Sequence, residues 1–231
     1  MEYILNHANA KVLLIGEEFL GHLAQMKLET ITKVIVVGRE GGEYTRYEDW
    51  IGEFAPDDPA IPCKVEDVCY QLYTSGTTGL PKGVELTHRN LMAAMDIGAI
   101  EWAIDPSSVV MVAMPLFHIA GSGWALAGFT QGSEMVLVYD IDPAEVLRLI
   151  ETYGVTNSLF VPAVLQVLSA FPGVEKTDLS SFRRIVYGAS PISEEVLVRS
   201  MRVFACEFAQ VYGLTETAGA MPGLSPEHQI H

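Results

Sequence analysis

The stretch YTSGTTGLPKG, residues 73–83, holds three glycines, a run of hydroxyl side chains and one lysine. Glycine is costly to order, so a glycine cluster marks backbone that must turn sharply or come close to something. Ser75, Thr77 and Thr78 add hydroxyl donors and Lys82 adds one positive charge. Amides, hydroxyls and a lysine together describe an anion cradle, and the natural anion is phosphate. A Gly/Thr linker is the plainer alternative, but linkers rarely set Pro81 and Lys82 tightly between glycines. A Walker-type loop would end in Gly-Lys-Ser/Thr and open a helix. Here Lys82 lies between Pro81 and Gly83, so a strap closing over a polyphosphate fits better.

Working outward, short β-branched runs alternate with helical patterns. Strands are expected at Lys11–Ile15, Lys33–Val37, Cys69–Tyr73, Val109–Ala113, Met135–Tyr139, Asn157–Val161, Arg184–Tyr187 and, last, Glu207–Val211. Helices are expected at Glu17–Leu28, from His88 to Ala103 with Thr87 as N-cap, and at Ser122–Thr130, Pro143–Tyr153, Pro162–Phe171 and Ser193–Phe204. This alternation predicts an α/β fold with mostly parallel sheets covered by helices. The charged, turn-rich stretch 38–62, with Tyr44, Tyr47 and Trp50 as anchors, marks a boundary. It would separate a first segment, 1–62, from an α/β region, 63–231, that carries the loop at 73–84.

The 231 residues suffice for a sizeable core, and 49% are hydrophobic, with a mean hydropathy of +0.26. No uncharged apolar run reaches the roughly 18 residues of a membrane helix, and no signal-peptide pattern opens the chain, so a cytoplasmic protein is expected. The net charge of −15, from 29 acids and 14 bases, argues against a nucleic-acid surface. An acidic chain holding a polyphosphate needs local donors and a divalent metal. Cys63, Cys69 and Cys206 lack metal-site spacing and read as reduced, buried residues.

Three further segments follow expected strands, where parallel α/β sheets bind ligands. In MPLFHIAG, 114–121, His118 is either a site residue or a core histidine bonded to a carbonyl. In YGASP, 187–191, small residues leave room for a flat ring, although a tight turn explains them equally well. In YGLTET, 212–217, Tyr212 could stack on a purine, Thr215 could bond a phosphate and Glu216 could hold magnesium through oxygen.

YTSGTTGLPKGV, LTHRNL, PLFHIAG, YGAS and YGLTET, in that order, resemble the adenylate-forming superfamily, and most of all its fatty acyl-CoA synthetases. The resemblance covers essentially the whole chain and implies part of the family's large N-terminal domain. It implies that Thr74, Ser75, Gly76, Thr77, Thr78, Gly79 and Lys82 strap the β- and γ-phosphates of ATP. Gly188, Ala189 and Ser190 would line the adenine pocket, Tyr212 and Gly213 would flank the adenine, and Thr215 would reach the α-phosphate. Glu216 would coordinate Mg2+, and His118 would sit beside the substrate carboxylate. The implied reaction converts a carboxylic acid and ATP to an acyl-adenylate and passes the acyl group to CoA or a carrier-protein thiol. Amino-acid-activating relatives carry an aspartate near the equivalent of 118, whereas PLFHIAGSGW has none. With Ile119, Trp124, Leu126 and Phe129 nearby, a fatty acid is the first expectation and an aryl acid the second. The family continues past YGLTET with a ribose-binding Arg/Asp motif, a hinge and a mobile lysine-bearing domain. The resemblance therefore implies a piece truncated at both ends, binding nucleotide without completing catalysis and self-associating through open strand edges.

Overall fold

The computed structural model describes residues 1–76, 79–219 and 221–229. Contacts divide the chain into two units: Met1–Cys63 with Tyr73–Gly83, and Lys64–Leu72 with Val84–His231. Among the described residues no helix is long and apolar enough to cross a membrane.

The first unit opens with α1 (Glu2–His7), β1 (Val12–Gly16), α2 (Leu20–Leu23), β2 (Lys33–Val37), β3 (Thr45–Arg46) and α3 (Tyr47–Ile51). Its strands form a parallel sheet in the order β1-β2-β3. Ile15, Leu23 and Val36 form its core. The helix expected over 17–28 is only a 3-10 turn at Glu17–Phe19 followed by α2. Competing side chains shorten it: Glu2 accepts from the backbone N–H of Lys27 at 2.8 Å, and Asn6 accepts from that of Glu29 at 2.9 Å. Those amides are thereby taken out of the helical hydrogen-bond pattern. The expected loop at 38–62 contains β3 and α3, with Lys33 5.6 Å from the Trp50 ring centroid.

Two strands, β4 (Val68–Thr74) and β5 (Lys82–Thr87), flank the glycine loop and pair with each other. β5 went unread in the sequence because it is short and follows directly on Gly-Leu-Pro. Its last residue, Thr87, caps α4 (His88–Glu101): Thr87 Oγ1 accepts from Asn90 N–H at 3.2 Å, and Asn90 Oδ1 accepts in return from Thr87 N–H at 3.0 Å.

The second unit continues with β6 (Val109–Val112), α5 (Ile119–Thr130), β7 (Glu134–Leu137), α6 (Pro143–Tyr153), β8 (Asn157–Phe160), α7 (Pro162–Ser169), β9 (Arg184–Gly188), α8 (Glu194–Phe204), β10 (Glu207–Tyr212) and β11 (Met221–Leu224). The sheet order is β11-β10-β9-β8-β6-β7, parallel except for β11. All of β8, and Ile185 to Gly188 of β9, are buried, as expected of strands covered on both faces. The sheet does not end at 207–211 as the sequence suggested. β11 adds an antiparallel edge, which its Pro and Gly disguised.

The strand order carries the functional information. From β6 the chain moves outward to β7, then returns to β8 on the other side and continues through β9 and β10. The direction reverses between β6 and β8, and in open α/β sheets ligands bind at the carboxyl ends beside such a switch point.

The cysteine expectation needs correction. Cys63 and Cys69 are exposed. Cys63 lies in a polar connecting stretch, and Cys69 is on an outward position of β4. Only Cys206 is largely enclosed, and burial pushes its thiol up to about 12.

Candidate functional site

Three segments named from the sequence follow β6, β9 and β10, and residues from each line one cavity. Its walls include His118 and Trp124 after β6, Gly188 and Ala189 after β9, and Gly213 after β10.

The β6 segment is a tight fold. His118 is the N-cap of α5, and its Nδ1 accepts from Ala120 N–H at 3.1 Å. The helix therefore starts three residues earlier than the sequence suggested. His118 is exposed, which rules out a core histidine. With Nδ1 accepting, the neutral imidazole carries its proton on Nε2, leaving a donor for a ligand oxygen. Glycine is required at 121: a β-carbon there would lie 2.2 Å from Pro115 O and 2.4 Å from Met114 O.

Gly188 ends β9 against β10, where a β-carbon would meet Val211 O at 2.2 Å. Ala189 follows at φ 65°, a left-handed conformation costing an alanine about 1–2 kcal/mol. Such strain gathers at functional sites. Ser190 is exposed beside it.

After β10, Tyr212 is 60% exposed, leaving its ring free to stack. The chain then curls on itself: Thr217 Oγ1 accepts from Leu214 N–H at 3.0 Å, and Gly219 N–H donates to Leu214 O at 3.0 Å. Gly213 permits this curl, since a β-carbon there would lie 2.4 Å from Gly219 O. Thr215 is buried, while Glu216 beside it is exposed. Among the described residues Glu216 has no hydrogen bond or ion pair, and no cluster of three metal-ligating side chains exists. A lone exposed carboxylate suits magnesium, which keeps several waters and is held by one or two carboxylates together with substrate phosphates.

The glycine loop belongs to the first unit. Thr74 ends β4, Ser75 and Lys82 are exposed, and Gly79 adopts φ 94°. Gly79 N–H donates to Gly76 O at 3.2 Å, and a β-carbon on Gly76 would lie 2.2 Å from Leu80 O. Lys82 is exposed to solvent beyond these glycines. Thr77 and Thr78 lie outside the described residues.

The sequence model of AMP-binding enzymes matches residues 1–230. The chain belongs to the AMP-binding enzyme family. A fatty acid–[acyl-carrier-protein] ligase, ScoC, of Streptomyces coeruleorubidus is 35% identical over 100% of this chain and 44% of its own length. A long-chain-fatty-acid–CoA ligase of Thermus thermophilus is 35% identical over 94% of the chain and 40% of its own. A 4-coumarate–CoA ligase-like protein of Oryza sativa is 35% identical over 84% of the chain and 38% of its own. The chain thus spans less than half the length of these relatives. Among solved structures, the inhibitor-bound N-terminal domain of FACL13 from Mycobacterium tuberculosis superposes with a TM-score of 0.89 at 26% identity, covering 98% of this chain and 56% of that one. The anthranilate CoA ligase AuaEII gives 0.91 at 23% identity over 98% of this chain and 45% of that one, a likeness of fold.

Within this AMP-binding fold the expected acid pocket divides. Ile119 and Trp124 line the cavity with His118, whereas Leu126 and Phe129 line a separate apolar groove between α4 and α5. Helical periodicity puts 119, 120, 123 and 124 on one side of α5 and 122, 126 and 129 on another. Trp102, Leu159 and Val211 also line the cavity, and the sequence reading missed them. Two signals pointed their way: an amide, Asn157, opening the strand NSLF, and Gly98 inside a helix.

Proposed function

We propose that this chain supplies the nucleotide- and acid-binding part of a ligase that activates a carboxylic acid with ATP and passes the acyl group to a thiol. The observation that carries the reading is the single cavity lined by His118, Gly188, Ala189 and Gly213 at the carboxyl ends of β6, β9 and β10, beside the switch point of the sheet. Gly188, Ala189 and Ser190 form the adenine wall, Tyr212 stacks on the purine, and Gly213 lets the chain pass close to it. Thr215 bonds the α-phosphate. The loop backbone at Gly76 and Gly79, the hydroxyls of Thr74, Ser75, Thr77 and Thr78, and the Lys82 ammonium hold the outer phosphates. Glu216 is the protein ligand for Mg2+, which offsets phosphate charge when bound.

In the first step a carboxylate oxygen forms a bond to the α-phosphorus and the bond to the bridging oxygen breaks, releasing pyrophosphate. In the second, the thiol sulfur of CoA or of a carrier protein bonds the acyl carbon, and AMP leaves as the thiol proton passes to solvent. One anion attacks another, so the protein's task is to align them and offset charge rather than to transfer protons. His118, with Nε2–H free, is placed to donate to the carboxylate and fix its attacking oxygen. A fatty acid is the leading acid class, supported by the absence of an acidic residue in PLFHIAGSGW and by the names of the Streptomyces and Thermus relatives. An aryl acid is second, supported by the name of the rice relative.

Calorimetry of ATP binding tests the reading. Glu216→Gln weakens binding about tenfold with magnesium present, as expected when a charged ligand is lost, and changes it little in EDTA. Equal losses in both conditions would assign the carboxylate a structural role. Lys82→Ala weakens ATP more than AMP; an equal effect on both would remove Lys82 from the outer phosphates.

A further inference from the structure

The curl that follows β10 hangs between two strands, and one of them is thinly held. β11 has four residues, one of them Pro222, which offers no N–H to the ladder. Its pairing with β10 is irregular: Gln210 faces Leu224 and Tyr212 faces Met221, so β11 carries one residue more than β10 over the same span. Gly223 lies so close to β10 that a β-carbon there would be 1.6 Å from Gln210 O. Yet Gly213, Ala218 and Gly219 of the cavity wall, and the buried Thr215, all lie between Tyr212 and Met221.

A side chain beyond β11 supplies the missing support. Gln229 follows the 3-10 turn Pro226–His228 and folds back, its Nε2 donating to Leu224 O at 2.6 Å and to Ser225 O at 3.1 Å. Its Oε1 accepts from the hydroxyl of Tyr187. Two carbonyls on one side demand the amide nitrogen there, so the oxygen faces Tyr187 and the phenol is the donor. Tyr187 is the anchored end of this bridge. It is 2% exposed, its ring centroid lies 6.3 Å from that of Phe208, and its backbone stands between Phe160 of β8 and Gln210 of β10. The residue after it is Gly188, where the opposite wall of the cavity begins.

We propose that Gln229 is a positioning residue for the nucleotide site: by bridging the end of β11 to Tyr187, it holds the 213–219 wall at a set spacing from the 188–190 wall. The proposal rests on the reading of these two segments as nucleotide walls. Gln229 acts through β11 and Tyr187 and touches no reacting atom. Coupling of this kind is reciprocal, so nucleotide tightens the bridge by the factor by which the bridge tightens nucleotide.

Calorimetry and hydrogen exchange on the intact chain test this, with AMP as the probe. Tyr187→Phe keeps the buried ring and removes only the hydroxyl, whereas Gln229→Leu removes both arms of the bridge. Each should weaken AMP binding about fivefold, the net worth of one hydrogen bond. The double variant should bind no more weakly than Gln229→Leu alone, because both changes break the same bridge. In the unaltered chain saturating AMP should slow exchange in peptides covering 223–229, and in either single variant that response should be lost while β8 exchanges as before. A merely structural glutamine would alter the resting exchange of 223–229 and leave it indifferent to AMP, which overturns the proposal. Unchanged AMP affinity in both single variants overturns it too, as does a double variant whose loss is the product of the two. If AMP fails to bind the unaltered chain while that chain melts cooperatively, the reading of the walls fails and the bridge's role with it. AMP binding that neither variant weakens rejects the bridge alone.

Discussion

The two units solve the same packing problem with unequal means. The first has a three-stranded sheet whose core is Ile15, Leu23 and Val36, and β1 leaves Val12 and Leu14 exposed on its other face. The second has a six-stranded sheet whose β8 and residues 185–188 of β9 are buried, with Phe160, Leu165, Leu168 and Ile185 fully enclosed. The difference separates two kinds of candidate binding element. The glycine loop belongs to the thinly packed unit, where local opening costs less. The cavity walls stand on the densely packed one, where strained residues such as Ala189 can be held in place.

The largest expected effect lies in the dense unit. Phe160→Ala should cost about 3–5 kcal/mol, because the site is fully buried and its neighbours can relax only partly. Denaturant unfolding followed by tryptophan fluorescence checks this, and a cost under about 1 kcal/mol would remove the contrast between the units. Leu23→Ala should cost about 2 kcal/mol, the low end for leucine, since its cluster is small. Its effect should appear as faster hydrogen exchange confined to residues 1–63; spreading of the effect to β8 and β9 would merge the two units energetically.

Backbone strain offers a smaller test of opposite sign. Ala205 ends α8 at φ 48°, and Ala205→Gly should stabilise the second unit by about 0.5–1 kcal/mol once glycine's own entropy is deducted. A loss of stability would mean that the alanine methyl contributes packing that outweighs its strain.

The cysteines give the mildest probe. At pH 8 a thiol reagent should label Cys63 and Cys69 and spare Cys206 until the chain unfolds. Because the folded pKa of Cys206 is raised from 9.0 to about 12, the native state holds the proton more tightly than the unfolded one. Its contribution to stability is therefore complete below pH 9 and is lost as pH rises towards 12. Labelling of Cys206 in the folded chain at the rate of Cys63 would contradict its burial.

How legible all this was in the sequence depended on the kind of signal. Helices with local caps were readable nearly to the residue: Asp142 and Pro143 open α6, Gly154 closes it, and Ser193 opens α8. The site segments were readable because glycines that permit close backbone approach stand at 188, which ends β9, at 213, which follows β10, and at 121, in the first turn of α5. Elements set by distant partners were not. The expected helix at 17–28 gave way to side chains of Glu2 and Asn6, and β11 exists only because β10 offers it an edge. The tryptophan pair lining the cavity was equally hidden. Trp102 and Trp124 are 22 positions apart, and their pairing follows from how α4 and α5 pack. Leu126 and Phe129 seemed to belong with Trp124, and helical periodicity turned them to another side.

The proposed function stands on nucleotide binding at the carboxyl ends of β9 and β10 in the second unit. Hydrogen exchange read by mass spectrometry, with and without saturating AMP, tests it most directly. Slowed exchange is expected in peptides covering 188–190 and 212–216, with the α4–α5 groove around Leu91 and Phe129 unchanged. Protection centred on that groove, with residues 188–190 and 212–216 unaffected, would contradict it.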